Sequence, residues 1–348
     1  MSYEEIERLV KQEAAEVYEF FRNEIPKSNP SANKLTRAII FLRSLFNAFL
    51  MKMAPARRFF YFASLLFLIF GLWNDMDGYI VLSFIIISLL LAFELADKLL
   101  VKNELEIAQK IQTELVPKFP PELNNFEISF HYEPAKEVGG DYLDFIELPE
   151  EGNTLIVLGD VSGKGIAAAL YVVRVQAIIH LLVENFVSLK NTLLDLKKYF
   201  SHNLRKEFFL TLAAAEIKKD NSISICRAGH NPLFYYNSSK KEIETIKPAG
   251  LAIGFNDKVV FDKILEEITI TPQANDILFI FTDGVSETMN CSKMLFGEER
   301  IKKILQDNAA KSTEEIKRNL LFYLAGFKGD APIADDQAFI ILKRKNYS

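Results

Sequence analysis

The sequence predicts an α+β domain, a sandwich of sheets covered by helices, preceded by an N-terminal helical region with a transmembrane hairpin. Two observations predict it. After Pro121, short apolar or β-branched runs alternate with polar turns, and the helical runs come in pairs. Before residue 100, residues 59–73 and 79–93 carry no charge, and the five-residue loop Asn74-Asp-Met-Asp-Gly78 joins them.

Taken in order, residues 3–24 place Ile6, Leu9, Val10, Val17, Phe20 and Phe21 at helical spacing with charges between. This predicts an amphipathic helix, closed by Pro26 and Pro30 in a polar connector, so that 1–33 is a segment of its own. The opening Tyr3-Glu-Glu-Ile-Glu is not a basic stretch followed by an apolar one, and no cleavable signal is expected. Leu35 to Met53 is a second helical run that carries Arg37, Arg43 and Lys52. The central Arg43 argues against a full crossing. A helix lying in the bilayer interface fits better, with packing against the next helices as the alternative.

A crossing needs about 20 mostly apolar residues. The membrane region is therefore expected over 34–97, with spans at about 59–73 and 79–97. Phe59, Phe60, Tyr61, Trp73 and Tyr79 stand where aromatic side chains favour the interface. Lys52, Arg57 and Arg58 precede the first span and Lys98 and Lys102 follow the second, whereas the joining loop holds only acids. The positive-inside rule then puts both ends, N-terminus and downstream domain, in the cytoplasm at the cytoplasmic membrane. A buried hairpin in a soluble domain is the competing reading, but so long an uncharged pair is rare in a soluble core. Residues 98–118 read as a linker helix, with Leu100, Leu105, Ile107, Ala108, Ile111 and Leu115 at helical spacing, ending before Pro117. Such a helix offers a route to a homodimer; a rigid spacer is the alternative.

Residues 119–346 form the last domain. Strands read at 126–133, 142–147, 154–160, 208–217, 222–228, 232–237, 243–247, 259–270, 276–282 and 337–344. Helices read at 165–186, 188–205, 298–307 and 313–326. The organising stretch is Thr154-Leu-Ile-Val-Leu-Gly-Asp-Val-Ser-Gly-Lys-Gly165, a buried strand, a glycine-rich loop and the start of an apolar helix. It leaves Asp160 at a strand end, held by rigid elements yet accessible. A plain helix-capping turn is the bland alternative. A phosphate-cradling nucleotide loop is rejected: it needs glycine five positions before the glycine of its Gly-Lys pair and Ser or Thr after the lysine, and this chain has Leu158 and Gly165 there.

The 348 residues are 49% hydrophobic, enough for one large core plus a further region. A net charge of −5 gives no electrostatic case for nucleic acid. Cys226 and Cys291 lie far apart without metal-like spacing and read as two reduced thiols.

Five further acidic positions share the setting of Asp160, at strand ends beside glycine or small residues. Val138-Gly-Gly-Asp-Tyr-Leu-Asp-Phe145 supplies Asp141 and Asp144. Phe279-Ile-Phe-Thr-Asp-Gly-Val-Ser-Glu287 supplies Asp283, and Ala334-Asp-Asp-Gln337 supplies Asp335 and Asp336. Each alone is an ordinary turn. Brought together by the sheets, they repel one another unless cations offset the charge, and all-oxygen donors select Mg²⁺ or Mn²⁺ over zinc.

These stretches, with Glu104-Leu-Glu-Ile-Ala-Gln-Lys-Ile-Gln112, Pro134-Ala-Lys136, Ala228-Gly-His-Asn-Pro232 and Phe296-Gly-Glu-Glu-Arg300, form an ordered series. The series resembles the RsbU/SpoIIE-type branch of the metal-dependent protein phosphatases, the protein phosphatase 2C superfamily, over about residues 103–344. The resemblance implies an α-β-β-α sandwich with two Mg²⁺ or Mn²⁺ ions at one edge. It makes Asp160 the bridging ligand, with the Val161 carbonyl on one ion. Asp141 then serves the first ion, Asp283 and Asp335 serve the second, and Asp336, the neighbour most easily confused with Asp335, is a further candidate metal residue. Asp144 reads as supporting or structural rather than as a ligand. The implied chemistry is attack of ion-activated water on a phosphoserine or phosphothreonine, which suits the absence of an evident Cys or Ser nucleophile motif.

The chain departs from the wider superfamily in places. Ser162 stands where eukaryotic relatives carry a histidine two residues after the bridging aspartate, as is usual in the bacterial branch. His230 is the candidate replacement proton donor, with a structural turn histidine as the favoured reading. Lys136 is a candidate phosphate holder, against a solvated lysine. Ala338 stands where the family often has threonine. The expectation is a membrane-tethered serine/threonine protein phosphatase acting on a phosphorylated protein, by resemblance an anti-sigma-factor antagonist. A catalytically silent membrane scaffold and a two-metal enzyme for small phosphate esters are the alternatives.

Overall fold

The computed structural model describes residues 34–148, 152–201, 208–254 and 258–346; the amphipathic helix expected over 3–24 lies outside the described residues. The chain divides into two compact units, one up to Lys102 and one from Asn103.

The first unit is helical. Helix α1 (Lys34–Lys52) is followed by α2 (Pro55–Trp73), and α3 (Asp77–Leu115) begins here and continues into the second unit. Pro55 opens α2, where its missing N–H costs nothing. Arg58 donates to the carbonyls of Met51 (2.6 Å) and Met53 (2.8 Å), and the Phe46 and Tyr61 rings meet at 6.3 Å. Helix α1 therefore makes side-chain contacts with α2. The α2–α3 hairpin packs closely at Gly71, where a methyl group would lie 2.8 Å from Ile80 Cγ1. Arg57 forks onto Glu94 (2.9 Å) and Asp97 (2.7 Å), one helical turn apart on α3. By length and composition both α2, with mean hydropathy 1.4, and α3, with 2.4 in its most apolar part, are able to cross a membrane.

In the second unit the described residues form two five-stranded antiparallel sheets. The strands are β1 (Phe126–Glu133), β2 (Asp141–Glu147), β3 (Thr154–Val161), β4 (Leu210–Ile217), β5 (Ile223–Ala228), β6 (Leu233–Asn237), β7 (Glu242–Ile246), β8 (Glu267–Ile270), β9 (Ile277–Phe281) and β10 (Gln337–Arg344). One sheet runs β1-β10-β9-β6-β7 and the other β2-β3-β4-β5-β8. Helices α4 (Ile166–Val183) and α5 (Leu189–Ser201) cover the second sheet; α8 (Glu298–Asp307) and α9 (Thr313–Lys328) cover the first.

Three apolar layers result. Leu143, Ile156, Leu158, Ile280 and Ile340 fill the space between the sheets. Tyr142, Leu155, Val157, Val175 and Leu196 lie between one sheet and α4 and α5. Phe279, Phe281, Phe339, Ile301 and Leu320 lie between the other sheet and its helices. Helix α4 is as long and apolar as a membrane span, with mean hydropathy 2.0, but one face, through Ala168, Val172, Val175 and Ile179, packs on the sheet while Ile166, Leu170 and Leu181 stay exposed. Ser312 and Glu315 form a capping box that fixes the start of α9.

One expected strand is corrected. Residues 259–270 are not one strand but helix α6 (Lys258–Ile264) followed by β8. Phe261 and Leu265 are buried in the core beside α5 while Asp262, Lys263 and Ile264 between them are exposed; a helix gives that spacing, whereas an alternating strand would turn Lys263 inward with them. The expected helix over 188–205 runs 189–201 as α5, and the rest lies outside the described residues.

Candidate metal centre

Strand parity decides which acids meet. In β2, Leu143 and Phe145 enter the layer between the sheets, whereas Tyr142 and Ile146 face α4 and α5. Asp141 therefore points between the sheets and Asp144 toward the helices. In β3, Ile156 and Leu158 point between the sheets, which places Asp160 there too. Asp141 and Asp160 are direct cross-strand partners. Leu278 and Ile280 give Thr282 the same parity at the end of β9, and Asp283 follows as the first residue of the short helix α7 (Asp283–Ser286).

Hydrogen bonds tie these ends into one rim. Thr282 Oγ1 donates to Asp141 Oδ2 (2.9 Å) and accepts from the Ala338 amide (3.0 Å). Asp336 accepts from the amides of Ala135 (2.7 Å) and Gly140 (2.5 Å), one on each carboxylate oxygen. Asp335 Oδ1 accepts from the Asp336 amide (3.0 Å), and Asp335 Oδ2 accepts from Lys164 Nζ (2.9 Å). Two glycines make the close approach possible. A methyl group at Gly140 would lie 2.8 Å from the Val161 carbonyl oxygen, and one at Gly284 would lie 1.9 Å from the Asp336 carbonyl oxygen.

The electrostatics follow from this crowding. Asp141 is 3% exposed; burial first, then Asp160, Asp336 and Asp283, hold its carboxyl well above the usual range, while the Thr282 hydrogen bond opposes them. Burial, followed by Asp283, Asp335 and Asp336, pushes Asp160 up to about 7, with Lys164 pulling the other way. Asp283 is also raised, by burial, Asp335 and Glu287. Three carboxyls thus resist ionisation because they are buried near one another.

An all-oxygen donor set short of positive charge fits hard divalent cations. Asp141, Asp160, Asp283 and Asp335 are the side chains that can hold them, and the Val161 carbonyl borders the same rim. Among the described residues no three acidic or imidazole side chains close around one point as a finished coordination shell. Lys164 Nζ lies on Asp335 Oδ2.

Other sequence candidates fall elsewhere. Asp144 accepts from His180 Nε2 (2.8 Å), Tyr142 Oη (3.1 Å), Gln176 Nε2 (3.2 Å) and the Phe145 amide (2.8 Å), on the opposite face of β2. His230 is 3% exposed, with Nδ1 3.0 Å from Thr211 Oγ1. Burial, then the Arg227 charge, push its pKa down to about 3. It is a buried side chain held neutral, which favours the structural reading over a proton-donor role. Lys136 is exposed in the loop before β2.

Sequence reasoning missed three residues. Thr282 and Lys164 touch the acids directly. Gln112, near the end of α3, donates Nε2 to the Gly139 carbonyl (2.7 Å) and accepts the Gly139 amide on Oε1 (2.9 Å), two residues from Asp141. Gln112 and Lys164 both lie within the stretches that carry the family resemblance, but neither is acidic.

Comparison with known proteins gives the family and the fold. The family model described as Stage II sporulation protein E (SpoIIE) matches residues 150–345. Phosphoserine phosphatase RsbU of Bacillus subtilis (strain 168) is 28% identical over 249 residues, covering 70% of this chain and 71% of that protein. Protein IcfG of Synechocystis sp. is 27% identical over 254 residues, 64% of this chain but 39% of IcfG. Among solved structures, the SiaA-PP2C domain of Pseudomonas aeruginosa superposes with a TM-score of 0.61 at 20% identity, covering 72% of this chain and 99% of that domain. The fold is thus the protein phosphatase 2C sandwich.

Proposed function

We propose, from the premise that this chain belongs to the SpoIIE family and is a protein-serine/threonine phosphatase, that it is a membrane-tethered enzyme whose carboxylate rim holds two Mg²⁺ or Mn²⁺ ions. Asp141, Asp160, Asp283 and Asp335 would hold these ions, with the Val161 carbonyl on the same rim. Asp336, with both oxygens on backbone amides, ties the loop after β1 to the start of β10 and keeps the rim in register. Such ions, when bound, supply activated water near neutral pH and neutralise charge on the phosphoryl oxygens. Thr282 orients Asp141, and Gln112 fixes the Gly139–Gly140 turn that leads into it.

The observation that carries this reading is the facing pair Asp141 and Asp160 with Asp283 and Asp335 close by, raised together by burial and mutual charge. The substrate class is phosphoserine or phosphothreonine on a protein, supported by the likeness to RsbU over most of this chain. By the same likeness the physiological substrate is an anti-sigma-factor antagonist in partner switching. Helices α2 and α3 serve as the membrane hairpin, with the phosphatase domain on the cytoplasmic side as the flanking lysines and arginines direct.

The test is phosphate release from a phosphoserine protein by the full chain in detergent with Mn²⁺. Asp160→Ala is expected to lose at least about a hundred-fold in rate without unfolding. Retained metal-dependent activity in that variant refutes the assignment. A wild-type chain that neither binds Mn²⁺ in calorimetry nor releases phosphate is a silent scaffold instead.

A further inference from the structure

Lys164 sits between β3 and α4, in a loop whose shape is fixed on both sides. Gly163 and Gly165 hold left-handed backbone (φ 101° and 75°) that side chains other than glycine rarely adopt. The Ser162 amide donates to the Phe209 carbonyl (2.9 Å), and Ser162 Oγ accepts the Phe209 amide (2.8 Å). From this tethered loop the lysine reaches across to the loop before β10. Its ammonium donates to the Ala334 carbonyl (2.6 Å) and to Asp335 Oδ2 (2.9 Å).

With Oδ1 already taken by the Asp336 amide, both oxygens of Asp335 are engaged. An ion that takes Oδ2 of Asp335 competes with Lys164 there, because an ammonium and a divalent ion on one carboxylate oxygen repel each other. Removal is easy. The Lys164 and Asp335 side chains are 49% and 42% exposed, and an ion pair so close to water is weak.

We propose that Lys164 is a positioning residue, an internal counter-ion that holds Asp335 until a divalent cation displaces it. The proposal rests on the two-ion reading above. It makes Lys164 a competitor that raises the ion concentration needed to fill the Asp335 side of the rim, while it offsets carboxylate repulsion in the ion-free protein. A lysine that merely braces the Ala334 carbonyl would act in the opposite sense, since its loss would loosen the loop and weaken ion binding.

The test is calorimetric titration of Mn²⁺ into the metal-stripped full chain in detergent, for wild type, K164M, K164Q and K164R. Both neutral variants are expected to tighten one of two Mn²⁺ sites about five-fold and leave the other within about two-fold. K164R, which keeps the charge, is expected to stay near wild type. Neutral variants that bind Mn²⁺ as wild type does, or more weakly, overturn the inference while the two-ion reading stands. A wild-type chain that takes up no Mn²⁺ overturns both.

Discussion

Replacing Asp160 by asparagine is expected to stabilise the ion-free protein above neutral pH while it destroys the proposed centre. The carboxyl of Asp160 is pushed from the ordinary 3.8 up to about 7, by burial first and by Asp283, Asp335 and Asp336 next. A carboxyl with a raised folded pKa binds more protons folded than unfolded. Its contribution to stability is therefore full below about pH 4 and is lost as pH rises through about 7. At pH 8 the ion-free wild type carries a strained carboxylate that costs on the order of 4 kcal/mol. Asparagine has nearly the same shape and no charge, but its amide must still be desolvated, which returns about half of that gain. A net gain of roughly 2 kcal/mol raises the midpoint of thermal unfolding by about 5 °C in a domain of this size. The assay is thermal unfolding of the full chain in detergent with chelator, at pH 8 and at pH 5, and again with excess Mn²⁺. The gain should be present at pH 8, shrink at pH 5 where Asp160 is protonated, and reverse when Mn²⁺ favours the wild type. An Asp160→Asn protein no more stable than wild type at pH 8 without ions, or equally favoured at both pH values, refutes the reasoning.

Two further outcomes are expected. Gln112→Ala leaves the buried amide and carbonyl of Gly139 without their partner, at a cost of about 1–3 kcal/mol; hydrogen exchange should quicken at Gly139–Asp141 and the Mn²⁺ isotherm should weaken. His230→Asn should leave the shape of the pH–rate profile between pH 5 and 8 unchanged, because His230, pushed to about 3, stays neutral throughout; a lost limb in that profile would restore it as a proton donor.

Much of this was legible because strand parity is local. Ile156 and Leu158 fix the direction of Asp160, and Leu143 fixes that of Asp141, within a few residues of each. The same arithmetic separates Asp144 from Asp141, since three positions along a strand reverse the face. The segment 259–270 misled because Val259, Val260 and Phe261 favour strands, while the burial of Phe261 with Leu265 depends on a core built by distant helices. Lys164 and Gln112 were hidden for a related reason. Each acts across a gap in sequence that no periodicity spans, onto Asp335 in one case and onto the Gly139 backbone in the other.

The contrast between neighbouring acids argues for where the chemistry lies. Asp144 and Asp141 share one strand, and both are nearly excluded from water. Asp144 has a histidine, a tyrosine, a glutamine and a backbone amide around it, and Asp336 has two amides. The protein itself satisfies those two, and a cation there would only displace hydrogen bonds already made. Asp141, Asp160 and Asp283 instead face one another, and the charge that offsets them is a half-exposed lysine held through Asp335. A fold that can satisfy a buried aspartate so fully at one face of β2, yet leaves three crowded at the other, keeps that second group at a cost in stability. Bound divalent ions remove that cost, which is why ion binding and stability should rise together in this domain and why Asp160→Asn should uncouple them.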